Sequence, residues 1–247
     1  MSPSIKSLGK SLLRRVGIEA HSYIPGSSRE AQLAAALKHF NIGFVVDVGA
    51  NEGQFGLELI GSGFAGSILS VEPLPIAHAR LKQQAELHAQ WEVAAPCALG
   101  ASPGTVQFHL AANSVSSSVL AVTDSSVDAE PGSRHVETFD VAQSTVDLLV
   151  LHHDLPAHGG MLKIDTQGYE WAVLDGARES LVCFDLVMLE LSLTELYVGQ
   201  HLWLDVIHRM DGLGYAMWLI QPEFVDPASG RTLQVNGLFC RRTSNRG

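Results

Sequence analysis

Phe44-Val45-Val46-Asp47-Val48-Gly49-Ala50-Asn51-Glu52-Gly53 is the stretch that decides the fold. A short apolar run of strand length empties into a Gly-rich turn. Farther on, a second apolar run, Ile68-Leu69-Ser70-Val71, ends in Glu72. Two strands arranged in this way predict a site for a nucleoside-bearing ligand. The glycines let the chain pass close to it, and the carboxylate can hold a ribose diol.

The spacing also discriminates between nucleosides. A dinucleotide site uses G-x-G-x-x-G, with helix N–H groups facing a pyrophosphate. Here the pattern is D-x-G-x-x-x-G, with Asp47 and Glu52 both acidic. Carboxylates repel a pyrophosphate but suit S-adenosylmethionine, which has no phosphate and carries a cationic sulfonium. The expected cofactor is therefore S-adenosylmethionine, held by Asp47, Gly49, Asn51 and Gly53 around its amino-acid moiety and by Glu72 at its ribose. A plain tight turn is the competing reading of Gly49 and Gly53.

Working outward, the segments alternate. Helix Gln54 to Ile60 follows the first strand, and helix Ile76 to His88 follows the second. Strand three is expected from Trp91 to Leu99, interrupted by Pro96. Gly160 to Ile164 and Leu186 to Leu189 read as further buried strands, with a helix from Tyr169 between them and another from Leu202 to Met210. Tyr215 to Ile220 and Leu233 to Arg241 read as a final hairpin, which would leave one strand antiparallel. Such alternation is the pattern of an α/β fold with an open, mostly parallel sheet and helices on both faces. In the middle, Gly104 to Leu110 and His135 to Val146 read as two strands bracketing a polar Ser-rich loop, expected to cover the end of the sheet.

Ahead of the sheet, residues 1–40 are expected to be a helical N-terminal segment, and residues 41–242 the cofactor-binding domain. Lys6, Lys10, Arg14 and Arg15 intermix with Leu8, Leu12, Leu13 and Val16, as in an amphipathic helix with a basic face. Ser27, three residues before Glu30, predicts a capped second helix.

Composition sets the outer bounds. A chain of 247 residues suits one full-sized core. The net charge of -10 argues against a nucleic-acid partner. Apolar stretches are far shorter than the roughly 20 residues of a membrane span, and the N-terminus lacks the pattern of a signal peptide. Cys97, Cys183 and Cys240 are scattered without a Cys-x-x-Cys pair, as expected of thiols in the cytoplasm. The oligomeric state is left open.

Ligands of open parallel sheets sit at the carboxyl ends of the strands. Asp47, Glu72, Asp165 and Glu190 all end or directly follow strand-like runs. Asp165 and Glu190, with Gln167 between their elements, are the candidate catalytic groups, to orient an acceptor hydroxyl or take its proton. Paired carboxylates also suit a hard divalent ion, or plain structural hydrogen bonding. The residues leave these open, and no metal ligand is assigned. Lys163 is expected to balance the acids. His109 is a further catalytic candidate, because it precedes the loop and can face the cleft. Asn113, Ser117 and Ser118 can hydrogen-bond cofactor or a polyol; Ser117 is assigned to the cofactor.

These residues resemble the FkbM family of S-adenosylmethionine-dependent methyltransferases. The resemblance rests on Val46 to Phe55, Val71-Glu72-Pro73, Ala98-Leu99-Gly100, Asn113 to Ser118, Thr145-Val146-Asp147, and Leu162-Lys163-Ile164-Asp165-Thr166-Gln167-Gly168-Tyr169-Glu170. It implies a class I methyltransferase (Rossmann-like) fold with a seven-stranded sheet whose last strand is antiparallel. It also implies O-methylation of a sugar, a glycolipid or a related polyhydroxylated metabolite, so the partner is a small molecule or glycan. Gln167 stands where members often have Glu, and Leu148 where many have Asp. An NAD-dependent oxidoreductase and a non-catalytic cofactor-binding scaffold are the alternatives.

Overall fold

The structure, a computed structural model, describes Arg15, residues 17–18 and residues 22–242. The basic amphipathic stretch of residues 6–16 lies, apart from Arg15, outside them. The first described helix, α1 (Arg29–His39), is capped one residue later than expected. Ser28 is its N-cap and accepts from Ala31 N at 3.2 Å, while Ser27 Oγ turns back to donate to Ser22 O.

Three short strands follow in the first half: β1 (Phe44–Val48), β2 (Ser67–Val71) and β3 (Trp91–Val93). They alternate with α2 (Gln54–Gly61) and α3 (Pro75–Ala85). The chain then leaves the main sheet. Pro96 ends the run expected to continue to Leu99, and Ala98–Leu99 becomes β4, which pairs with a different sheet. That sheet has the order β4-β6-β5, with β5 (Gly104–Ala111) and β6 (His135–Ser144) antiparallel. The polar connection between β5 and β6 is less of a loop than its composition suggests. It holds 3-10 turns at 114–116 and 131–133 and the helix α4 (Asp124–Ala129), which Thr123 caps by accepting from Ser126 N.

The main sheet resumes with α5 (Val146–His152), β7 (Gly160–Ile164), α6 (Glu170–Asp175), β8 (Phe184–Ser192), α7 (Trp203–Gly212), β9 (Tyr215–Val225) and β10 (Thr232–Arg241). Its strand order is β3-β2-β1-β7-β8-β10-β9. All neighbours are parallel except β10, which runs antiparallel to both β8 and β9. This is the seven-stranded class I methyltransferase topology that the resemblance implied.

Strand parity divides the core into two layers. Val46, Val48, Leu162, Ile164, Val187 and Leu189 pack against Val146 and Leu149 of α5, Val173 of α6, and Val206 and Met210 of α7. Val45, Ile68, Met161, Leu186 and Met188 pack against Leu33 and Leu37 of α1, Leu59 of α2 and Leu81 of α3. The small sheet has its own core, in which Phe108, Val141 and Ala98 meet Leu74 and Ala77. It therefore docks where α3 begins, beside the carboxyl end of β2.

Candidate active site

A cleft of about 610 Å³ opens at the carboxyl ends of β1, β2, β7 and β8. The turn after β1 forms one wall, and Leu74, Ala98, Leu99 and Phe108 form an apolar pocket at one end. The segment from Asn113 to Val119 lies over it. That segment is tied at both sides: Asn51 Nδ2 donates to Ser114 Oγ at 3.2 Å, and Ser118 Oγ donates to Gln167 O at 2.7 Å.

At the apolar end, Glu72 is 4% exposed and each of its oxygens accepts one backbone N–H, from Asn51 and Leu74, both at 2.8 Å. Burial pushes its carboxyl up to about 7, against the pull of those two N–H groups. Each oxygen keeps a further lone pair for a ligand. Gly49, with φ +75°, lets the turn pass under the end of β7, where a Cβ would stand 1.8 Å from Asp165 O.

Four expected site residues are placed differently. Asp47 lies inside β1 rather than at its end, so it is fully buried on the α1 side of the sheet. There it accepts from Lys163 Nζ at 3.0 Å and Ser70 Oγ at 3.3 Å, away from the cleft wall. Gly53 precedes α2 with φ +95°, and its missing side chain makes room for Trp91 and Leu81 rather than for a ligand. His109 is turned away by strand alternation. Its neighbour Phe108 faces the cleft, while the His109 ring meets Thr138 Oγ1 at 2.9 Å and stacks on His135. Ser117 does line the cleft, but its Oγ accepts from Ala111 N at 3.0 Å and so closes the end of the β5 hairpin.

The other end of the cleft brings Asp165 and Glu190 together, because their strands are neighbours in register. Gln167 joins them, with Nε2 2.8 Å from Asp165 Oδ1 and 2.9 Å from Glu190 Oε2. Its amide is oriented by Tyr197, whose hydroxyl donates to Gln167 Oε1 at 2.7 Å. Tyr197 was not visible as a site residue, since it arrives from the connection after β8 with no motif around it. Gln167 itself adopts φ +56°, a left-handed conformation that a non-glycine residue seldom takes. Glu170 is buried beneath the turn and accepts from Thr166 N at 3.0 Å and Gly168 N at 3.1 Å.

The two carboxylates are electrically distinct. Lys163 Nζ stands 3.4 Å from Asp165 Oδ2 and bonds Asp47 behind it. Burial opposes the Lys163 charge, yet the two aspartates outweigh it and hold the ammonium above its ordinary range. Glu190 has no such cation in contact. Burial, and then Asp165, Glu170 and Glu223, raise its carboxyl well above the ordinary range.

No group of three or more His, Cys, Asp or Glu placed to hold a metal occurs among the described residues. No described helix is long and apolar enough to cross a membrane. The side chains do fit S-adenosylmethionine: a buried carboxylate for a ribose, an apolar pocket for an adenine, and, for the sulfonium end, an acidic wall with no free cation among the described residues.

A family model described as the methyltransferase FkbM domain matches residues 47–217. The chain belongs to the FkbM methyltransferase family. It is accordingly an S-adenosylmethionine-dependent methyltransferase, with S-adenosylmethionine as its cofactor. No curated protein matches. Among solved structures, the methyltransferase is similar to a putative RNA methyltransferase from Pyrococcus horikoshii, with 11% identity and a TM-score of 0.46 over 97% of this chain and 99% of the other. A putative tRNA methyltransferase from Streptococcus pneumoniae, in complex with S-adenosyl-L-methionine, has 11% identity and a TM-score of 0.47 over 87% of this chain and 75% of the other. An uncharacterised protein from Listeria monocytogenes has 8% identity and a TM-score of 0.49 over 88% and 69%. These likenesses carry no functional argument for the FkbM chain.

Proposed function

We propose that this methyltransferase acts on a hydroxyl of a sugar, a glycolipid or a related polyhydroxylated metabolite. The observation that carries the reading is the Asp165–Gln167–Glu190 cluster, set at the opposite end of the cleft from Glu72. The cofactor supplies an electrophilic methyl group on a sulfonium sulfur. Glu72 would accept from the ribose hydroxyls, Gly49 and Asn51 would border the amino-acid end, and Leu74, Ala98 and Phe108 would hold the base.

At the other end, Asp165, beside the Lys163 ammonium, would accept the hydrogen bond of the acceptor hydroxyl and aim its oxygen at the methyl group. As the O–CH3 bond forms and the S–CH3 bond breaks, the hydroxyl proton passes to Asp165. Glu190 accepts from Gln167 through Oε2 and keeps Oε1 toward the cleft, where it can accept from the acceptor. Gln167 holds the two carboxyls at a fixed separation, and the acidic wall steadies the positive sulfonium end.

The test is incubation with methyl-labelled cofactor and extracted bacterial glycans and glycolipids, with mass spectrometry of the labelled product. Label on an oxygen is expected; label on nitrogen or carbon alone would overturn the reading. Asp165→Asn is expected to keep cofactor affinity within a few-fold and to lower turnover by about 10²-fold or more. Near-normal turnover would move the proton elsewhere. Activity that survives exhaustive chelation assigns the carboxylates to substrate rather than to a cation.

A further inference from the structure

The floor of the acceptor end is a polar row that crosses three strands. Register places Glu190 of β8 beside Asn236 of β10, and Asn236 beside Gln221 of β9. All three line the cleft. One pair lower on the same face, Met188, Leu238 and Leu219 are buried in the apolar layer under α1. The apolar face thus ends at this row, and the next pair above it, Gln234 and Ser192, is polar as well.

All the donors of this row but one N–H of Asn236 are already used. Asn236 Nδ2 donates to Glu223 Oε2 at 2.8 Å. Gln221 Nε2 donates to Arg29 O at 3.1 Å and Gln32 Oε1 at 3.0 Å. The oxygens remain: Asn236 Oδ1, Gln221 Oε1 and Glu190 Oε1 accept from no described residue. Gln221 is 5% and Glu190 8% exposed, and their free oxygens open into the cleft rather than into the protein.

The surrounding charges have the same sign. Glu58 of α2 and Glu223 of β9 line the same end. The two cations there are taken, Arg29 by Glu223 and Lys163 by Asp47 and Asp165. A ligand at this wall must bring donors and should bring positive charge. A phosphate or carboxylate would meet mainly oxygens and be repelled by the carboxylates.

We propose that the acceptor is a polyol carrying a protonated amine, an amino sugar or aminocyclitol, with its ammonium lodged at Glu190, Asn236 and Glu223. An ammonium supplies three donors and one positive charge, which matches a wall of free oxygens. The inference rests on the reading of this cleft as the methyl acceptor's site.

The test uses three matched probes on the S-adenosylhomocysteine-loaded protein: the methyl glycosides of glucosamine, glucose and glucuronic acid. Ligand-observed NMR titration to tens of millimolar gives their affinities. The glucosamine probe is expected to bind about tenfold more tightly than the glucose probe, the scale of one charge-assisted hydrogen bond. The glucuronide is expected not to bind. The preference should shrink at high salt and in Glu223→Gln, and should vanish in Asn236→Leu; in both variants the fold is checked by circular dichroism. No binding of the amino probe, no amino preference, or equal binding of the glucuronide would overturn the proposal. O-methylation of a neutral sugar with no amino preference would sink this inference and spare the proposed function. Label on nitrogen would overturn both, because a nitrogen that takes the methyl group must reach the cofactor unprotonated rather than lie as an ammonium at this wall.

Discussion

Gly49→Ala tests the join between fold and chemistry. The Gly49 backbone has φ +75°, a left-handed conformation that costs an ordinary residue about 1–2 kcal/mol. An added Cβ would also stand 1.8 Å from Asp165 O, where real Cβ contacts do not fall below 3.0 Å. The obstacle is backbone, and Asp165 N is itself bonded to Val48 O at 3.1 Å, so no flexible side chain can swing away. Forced overpacking of this kind costs about 1–3 kcal/mol, which gives a combined loss of roughly 2–5 kcal/mol. For a chain of this size the melting temperature should fall by roughly 5–20 °C. The end of β7 must retreat by about 1 Å, and a shift on that scale at the reacting centre costs about 10²-fold in turnover. Gly63→Ala is the control, since Gly63 has φ +88° but nothing within 4 Å of its would-be Cβ. It should lose only the conformational cost. Thermal unfolding of both variants, with calorimetry against S-adenosylhomocysteine, separates strain from collision. If Gly49→Ala melts no lower than Gly63→Ala, the close approach to Asp165 is not what demands glycine there.

Asp47→Asn should destabilise the protein by about 3–5 kcal/mol, because it breaks a buried ion pair. The folded protein should still bind S-adenosylhomocysteine within a few-fold of wild type; loss of affinity without loss of stability in urea melts would return Asp47 to the cofactor. Glu72→Ala should weaken S-adenosylmethionine binding by about 1–3 kcal/mol, as a lost charge-assisted partner. Calorimetry showing unchanged affinity in a folded variant would refute the ribose assignment. Glu170 gives a pH signature. Burial raises its carboxyl to about 7 from the ordinary 4.5, so the folded state keeps a proton that the unfolded state releases across that interval. Its contribution to stability therefore falls as pH rises from 4.5 to about 7, by on the order of 3 kcal/mol. Glu170→Gln keeps the acceptor oxygen and removes the charge, so it should raise the melting temperature at pH 8 and flatten the pH dependence. An unchanged pH profile would count against the buried charge.

The legible part of this molecule was the part made of local pattern. β1, β7 and β8 are buried on both faces and read as apolar runs, and the carboxylates just beyond β2 and β7 marked the two ends of the cleft. Asp47 misled because a motif reading treats a carboxylate near a strand end as facing ligand. Strand parity puts residue 47 opposite Lys163 in the neighbouring strand, and that pairing depends on a segment more than a hundred residues away. The split after β3 was hidden for a similar reason. Ala98–Leu99 finds its partner in Gln143–Ser144, which nothing local announces. Tyr197, Asn236 and Gln221 reach the site only through the folded sheet, and they are ordinary polar or aromatic residues in their own stretches of sequence.

The position of β10 has a consequence for the order in which the enzyme is made. Among the described residues β9 has no neighbour in the main sheet except β10, and β10 must slip between β9 and β8 to close it. A growing chain that has released β9 from the ribosome can already assemble the turn after β1 and the Glu72 end of the cleft. It cannot yet complete the row of Glu190, Asn236 and Gln221. Until β10 emerges, the edge of β8 stands open and β9 has nowhere to dock. The half proposed to hold the cofactor would therefore mature first, and the half proposed to select the acceptor would appear last, in one step, when β10 arrives.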